Sequence, residues 1–152
     1  MTKSYFNEDV NIQMELPEGW TTSKNEQFPL ILFAPQENNF RANMTFSIRE
    51  LKPPTQEHFE DLIGKTRVEH EQDYKDFALI EEEKWMQDEF PAYQEVYHWT
   101  SDEGDIALTQ IFALMMTGPD ALYSIHCTTL RSVESTYLSQ FKSIIKSFEF
   151  YE

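Results

Sequence analysis

Four histidines, one cysteine and a run of three glutamates are the residues whose types could carry chemistry in this 152-residue chain. His58 and His70 fall on one predicted helix, twelve positions apart. That spacing turns them about 120° from each other around the axis, so they do not form a metal-binding pair. His70 stands among Glu69, Glu71 and Asp73, a set that could gather a cation but reads as a solvated charged turn. His126 and Cys127 are adjacent, as a base and a nucleophile would be. Neighbours on a strand point to opposite faces, however, and a lone cysteine reads as an inert buried thiol. There is no Gly-rich phosphate loop, G-x-S-x-G or H-E-x-x-H motif, and four glycines leave little room for such loops. A single cysteine rules out an intrachain disulfide and a multi-cysteine zinc site. The reading is of no catalytic residues, no metal and no cofactor. The catalytic alternative is a hydrolase built on acidic residues and His98, which requires paired carboxylates in a cleft.

The stronger signal is a surface for a partner. In Glu81-Glu82-Glu83-Lys84-Trp85-Met86, strand alternation puts Glu81, Glu83 and Trp85 on one face and Glu82, Lys84 and Met86 on the other. This is either a patch for a basic protein or a solvated edge strand guarded by its charges. Further on, Tyr93, Glu95, Tyr97 and Trp99 share one face, opposite Gln94, Val96 and His98. The next strand is largely apolar on both faces, with Phe112 on one and Ile111 on the other, as expected of a central strand covered twice. Two helices cover only part of a sheet. Some aromatic surface then stays open as an interaction site, or the helices and loops bury it all. The predicted partner-binding residues are Trp85, Tyr93, Glu95, Tyr97, Trp99 and Phe112.

The elements that must position these residues follow from period and punctuation. Val10 to Leu16 alternates as a half-buried strand and ends at the Pro17-Glu18-Gly19 turn before Trp20. Leu30 to Ala34 is a short apolar strand, and Met44, Phe46 and Ile48 line one face of another. Pro53-Pro54-Thr55 opens a helix to about Gln72, with Thr55 as N-cap and Phe59, Leu62, Ile63 and Thr66 on one face. Four strands follow, Phe77–Gln87, Ala92–Thr100, Ile106–Met116 and Leu122–Leu130, with turns at Asp102-Glu103-Gly104 and Thr117-Gly118-Pro119-Asp120. Their short connections predict an antiparallel meander. A second amphipathic helix takes Ser132 as N-cap and buries Val133, Tyr137, Phe141, Ile144 and Phe148. With no repeat or linker, residues 1–152 form one α+β domain: an antiparallel sheet of about six to eight strands with two main helices.

Composition bounds the partners. Twelve Phe, seven Tyr and three Trp supply an aromatic core, and the length suffices to bury it. The formal charge of −15 repels phosphate backbones and anionic lipid, so nucleic acid and membrane surfaces are excluded and basic proteins or cations are favoured. The same acidity also keeps a domain soluble without any partner. Taking Met1 as the natural start, the absence of a signal-peptide stretch predicts a cytoplasmic protein. An open sheet edge would permit a homodimer, against which Glu-rich strands argue.

Several landmarks resemble the PsbP-like group. Met14-Glu15-Leu16-Pro17-Glu18-Gly19-Trp20 resembles its strand–Pro–x–Gly–Trp opening. Phe33-Ala34-Pro35 and Ala42-Asn43-Met44-Thr45-Phe46 are similar to its next strand pair. Pro53-Pro54-Thr55 stands where its first long helix begins, and Ile144-Ile145-Lys146-Ser147-Phe148 is similar to its ending. The group includes PsbP of photosystem II, the Ran-release factor, DcrB-like bacterial proteins and the effector-associated chaperones of type VI secretion. The resemblance implies an α/β sandwich and a binding, chaperone or assembly role, with no shared catalytic residues and no partner specified. The secretion chaperones are nearest in size and compartment. The expected function is a non-enzymatic protein-binding module or chaperone that takes an apolar helix or a basic segment on an aromatic sheet face with an acidic rim. The alternative is a carrier of a small hydrophobic ligand in a pocket between sheet and helix.

Overall fold

The computed structural model describes residues 2–35, 40–52, 55–87, 89–117 and 121–151. Strands β1 (Thr2–Asn7), β2 (Ile12–Pro17), β3 (Thr21–Ser23), β4 (Leu30–Phe33) and β5 (Asn43–Glu50) precede helix α1 (Gln56–Asp73). Then come β6 (Ala78–Gln87), β7 (Phe90–Thr100), β8 (Ala107–Thr117) and β9 (Ala121–Leu130), followed by helix α2 (Glu134–Lys146) and β10 (Glu149–Phe150). Every pairing is antiparallel. Seven strands form one sheet in the order β3-β4-β5-β9-β8-β7-β6, and β1-β2-β10 form a second. The fold is α+β, as the sequence predicts. No helix among the described residues is long and apolar enough to cross a membrane.

Burial explains the layering. From Leu108 to Thr117, β8 is buried at every residue, so it needs cover on both sides. One face, with Val96, Ile111, Ala113, Met115 and Cys127, packs against Ile12, Met14 and Leu16 of β2 and Tyr137, Phe141, Ile144 and Ile145 of α2. The other face, with Tyr93, Tyr97, Phe112 and Leu114, packs against Phe59 and Ile63 of α1.

Local signals hold at most boundaries. Thr55 caps α1, its Oγ1 accepting from the His58 N–H at 3.1 Å. Ser132 does not cap α2. A 3-10 turn over Arg131–Val133 precedes the helix, Val133 occupies the capping position without a side-chain bond, and Ser132 faces solvent. The first turn is instead pinned by Glu134, which accepts from Thr109 Oγ1 at 2.5 Å and lies 2.8 Å from His98 Nε2. Phe148 lies beyond α2 but remains buried as the chain turns into β10. Strands β1, β3 and β10 escape sequence reading because they are short or largely exposed. The predicted turns at Pro53-Pro54 and Gly118-Pro119-Asp120 lie outside the described residues.

The Pro17–Trp20 turn depends on Gly19. Its φ of +88° lies in the left-handed region, and a Cβ there would stand 2.7 Å from Pro35 Cγ. The turn delivers Trp20 into the core, edge-on to Phe141 at 6.0 Å, with its indole N–H donating to Gln140 Oε1 at 2.9 Å. Gly19→Ala is expected to cost about 1–2 kcal/mol for the backbone alone, and more if Pro35 cannot yield. Urea unfolding would measure this; an unchanged midpoint would refute it.

Candidate functional site

The structure brings together five of the six predicted partner-binding residues. Tyr93, Glu95, Tyr97 and Trp99 extend along β7, and Phe112 stands directly opposite Glu95 on β8. This face is closed, because α1 lies over it. Tyr93, Glu95, Tyr97 and Phe112 are each 5% exposed or less, while Trp99 is half-buried against the Tyr74 ring at 4.6 Å. Trp85 sits on the opposite face of the sheet, as alternation requires. The Lys146 ammonium lies 3.7 Å above its ring, and its indole N–H donates to Gln87 Oε1 at 2.6 Å. The Gln87 amide in turn donates to the carbonyls of Ile145, Lys146 and Phe148, at and just beyond the end of α2.

Beneath α1 lies a charged cluster organised around Glu95. Its carboxylate lies 2.5 Å from His70 Nδ1, and it accepts from Arg67 Nε at 2.8 Å and the Tyr93 hydroxyl at 2.7 Å. Arg67 Nη2 also reaches Glu82 Oε2 and the Tyr93 oxygen, both at 2.6 Å. Burial pushes the Glu95 carboxyl upward, but hydrogen bonds from His70, Tyr93 and Arg67 outweigh it and hold the group below its ordinary value. Burial first, then the Glu95 charge, pushes the Tyr93 phenol up.

His70 is therefore no part of a solvated turn. It is 8% exposed and directed at the sheet, whereas Glu69, Glu71 and Asp73 face water. The stripe Phe59, Ile63, Arg67 and His70 keeps helical spacing, and following it past Thr66 would have found both basic residues.

His126 and Cys127 lie on opposite faces of the sheet and do not meet as a base and a nucleophile. Cys127 is packed in the core below α2, and burial drives its thiol well above its ordinary value. The His126 ring stands 4.8 Å from Phe112, on the other face, and burial lowers it to about 4, helped by charge at His70. No group of three His, Cys, Asp or Glu among the described residues is placed to hold a metal.

What remains accessible is β6. It ends the seven-stranded sheet, and every side chain from Ala78 to Lys84 is exposed. The pairing register shifts between Leu79 and Glu81, marking a bulge where Leu79 and Ile80 are both exposed. Glu81 and Glu83 bond Lys142 and Lys146 on the α2 side. Glu82 meets Arg67 and Lys84 meets Glu60 on the α1 side, at 2.6 and 2.7 Å. Alternation predicted this division. Its consequence is that a cation anchored on a helix partners each carboxylate.

No protein-family model matches the chain, and no curated protein matches it. Solved structures do. Cyanobacterial PsbP (CyanoP) from Synechocystis superposes with a TM-score of 0.68 at 17% identity, over 99% of this chain and 92% of that one. LpqN of Mycobacterium tuberculosis, involved in cell envelope biogenesis, gives 0.72 at 10%, over 100% and 91%. The Saccharomyces cerevisiae Ran-binding protein Mog1p gives 0.61 at 10%, over 99% and 95%. At these identities the likeness is one of fold: the chain has the PsbP/Mog1-like architecture its landmarks resemble.

Glu95→Gln leaves Arg67 and His70 facing a neutral amide and is expected to cost about 3 kcal/mol, the scale for breaking a buried pair. Because the folded carboxyl lies below its ordinary value of 4.5, its contribution is present above that pH and fades as pH falls through the lower folded value. The difference between wild type and E95Q in urea unfolding should narrow from pH 7 to pH 3. A gap that stays constant would show that Glu95 gains nothing from its charge.

Proposed function

We propose that this chain is a protein-binding domain without a catalytic step, and that it takes up an extended, basic segment of its partner along β6. The observation that carries the reading is a ten-residue edge strand whose backbone has a neighbour on one side only among the described residues. Such an edge is a template for a further strand, and side chains alternating along the added segment supply specificity. Leu79, Ile80 and Met86 offer apolar footholds at its two ends, exposed by 39%, 51% and 62%. Trp85, the predicted partner-binding residue outside the aromatic face, belongs to this same strand.

Charge selects the occupant. The net −15 steers cations toward the domain. Exposed pairs such as Glu83 with Lys146 are worth about 0–1 kcal/mol, so an incoming lysine or arginine can displace the resident cation cheaply. A second copy fits badly in the register centred on Glu82, where antiparallel pairing of β6 with itself brings Glu81, Glu82 and Glu83 against like charges. The Ran-binding neighbour supports the reading in kind: this architecture serves protein recognition elsewhere. With Tyr93, Tyr97 and Phe112 covered by α1, the aromatic face acts as the floor that holds β7 and β6 in place.

A short peptide of alternating valine and lysine should shift β6 amide resonances and bind about tenfold more tightly than its valine–glutamate counterpart. Its affinity should fall with added salt. Ile80→Lys, an exposed substitution, should weaken it without unfolding the domain. Equal binding of both peptides, or shifts confined to other strands, would refute the reading.

A further inference from the structure

At the other edge of the seven-stranded sheet, a groove of about 580 Å³ opens between β1 and the β2–β3 corner. Tyr5, Leu16 and Trp20 contribute its apolar walls, and Lys3, Glu18 and Thr22 stand among its polar lining. Leu16 and Trp20 are core residues, so the groove exposes one end of the main hydrophobic core. Its volume lies within the range of about 300–1,000 Å³ typical of small-molecule sites.

Lys3 gives the groove its chemistry. The register pairs Lys3 with Leu16 and Tyr5 with Met14. Directly paired residues share a face, so the ammonium belongs to the apolar side of this sheet. The carboxylate nearest in the ladder, Glu15, lies on the opposite side, where it accepts from Thr2 and Ser4. Six of the eight lysines in this acidic chain sit within 4 Å of a carboxylate, but Lys3 has no such partner among the described residues. Glu18, on the same groove, stays beyond that distance. A cation beside an open apolar wall is complementary to a molecule with an anionic head and an apolar body.

We propose that this groove binds an amphipathic monocarboxylate, with its aliphatic or aromatic body on Tyr5, Leu16 and Trp20 and its carboxylate on the Lys3 ammonium. The site is separate from β6 and does not depend on the protein-binding reading. An inward-pointing lysine also discourages a further strand from pairing with an edge. That role requires no ligand, and the experiment separates the two.

The whole chain would be titrated with octanoate and with 1-octanol, following the Trp20 indole N–H and the Leu16 amide by NMR. Octanol is the more apolar probe, so a groove that reads only hydrophobicity would prefer it. The expected result is saturable octanoate binding centred on Trp20, at least about tenfold tighter than octanol. Lys3→Glu should abolish that preference and Lys3→Arg should retain it. Lys3 is exposed, so both variants should keep the wild-type melting temperature. No saturable octanoate binding, equal binding of the two probes, or octanoate affinity unchanged in Lys3→Glu would each overturn the proposal.

Discussion

A central strand that is apolar on both faces must be covered twice, and β8 imposes this on the whole molecule. Ile111, Ala113 and Met115 call for one layer; Phe112, Leu114 and Met116 call for another. At roughly 25 cal/mol per Å² of apolar surface withdrawn from water, neither face could remain open without a large loss. The chain meets the demand unequally. One side receives α2 together with the three-stranded sheet, whereas α1 lies over the other.

That inequality shapes the chemistry. Helix α2 docks through Tyr137, Phe141, Ile144 and Ile145, an apolar stripe that needs little help. Helix α1 buries Phe59, Ile63 and His70, and relies on Arg67 and His70 directed at Glu95. A buried carboxylate costs several kcal/mol to desolvate, and pairing with Arg67 and His70 offsets this rather than adding a large surplus. The arrangement fixes where α1 lies: a slip by one turn would leave Glu95 without its partners. Arg67 also ties α1 to the edge, since it spans Glu95 and Glu82.

The accessible features then fall at the margins of the sheets. The exposed carboxylates and bulge of β6 form one margin, and the groove beside Lys3 and Trp20 forms another. Both follow from stopping a sheet: the last strand has an unused backbone edge, and the last core residues have an unused apolar side.

The sequence by itself determined the elements with strong period or punctuation. Alternation at Ile12, Met14 and Leu16, the two-faced β8, the Thr55 cap and the Gly19 turn are local properties, legible because neighbouring residues determine them. It also determined which side chains share a face, and so grouped Tyr93, Glu95, Tyr97 and Trp99 correctly. Whether that face was open or closed could not be read from alternation, because cover comes from α1, some twenty to forty residues earlier in the chain. The place of His70 escapes the sequence for the same reason: its charged neighbours suggest water, while its partner Glu95 is 25 positions away. Tertiary structure alone decided that pairing, the division of the glutamates between two helices, and the groove at Lys3. Each depends on groups brought together by the order of strands, which no local pattern records.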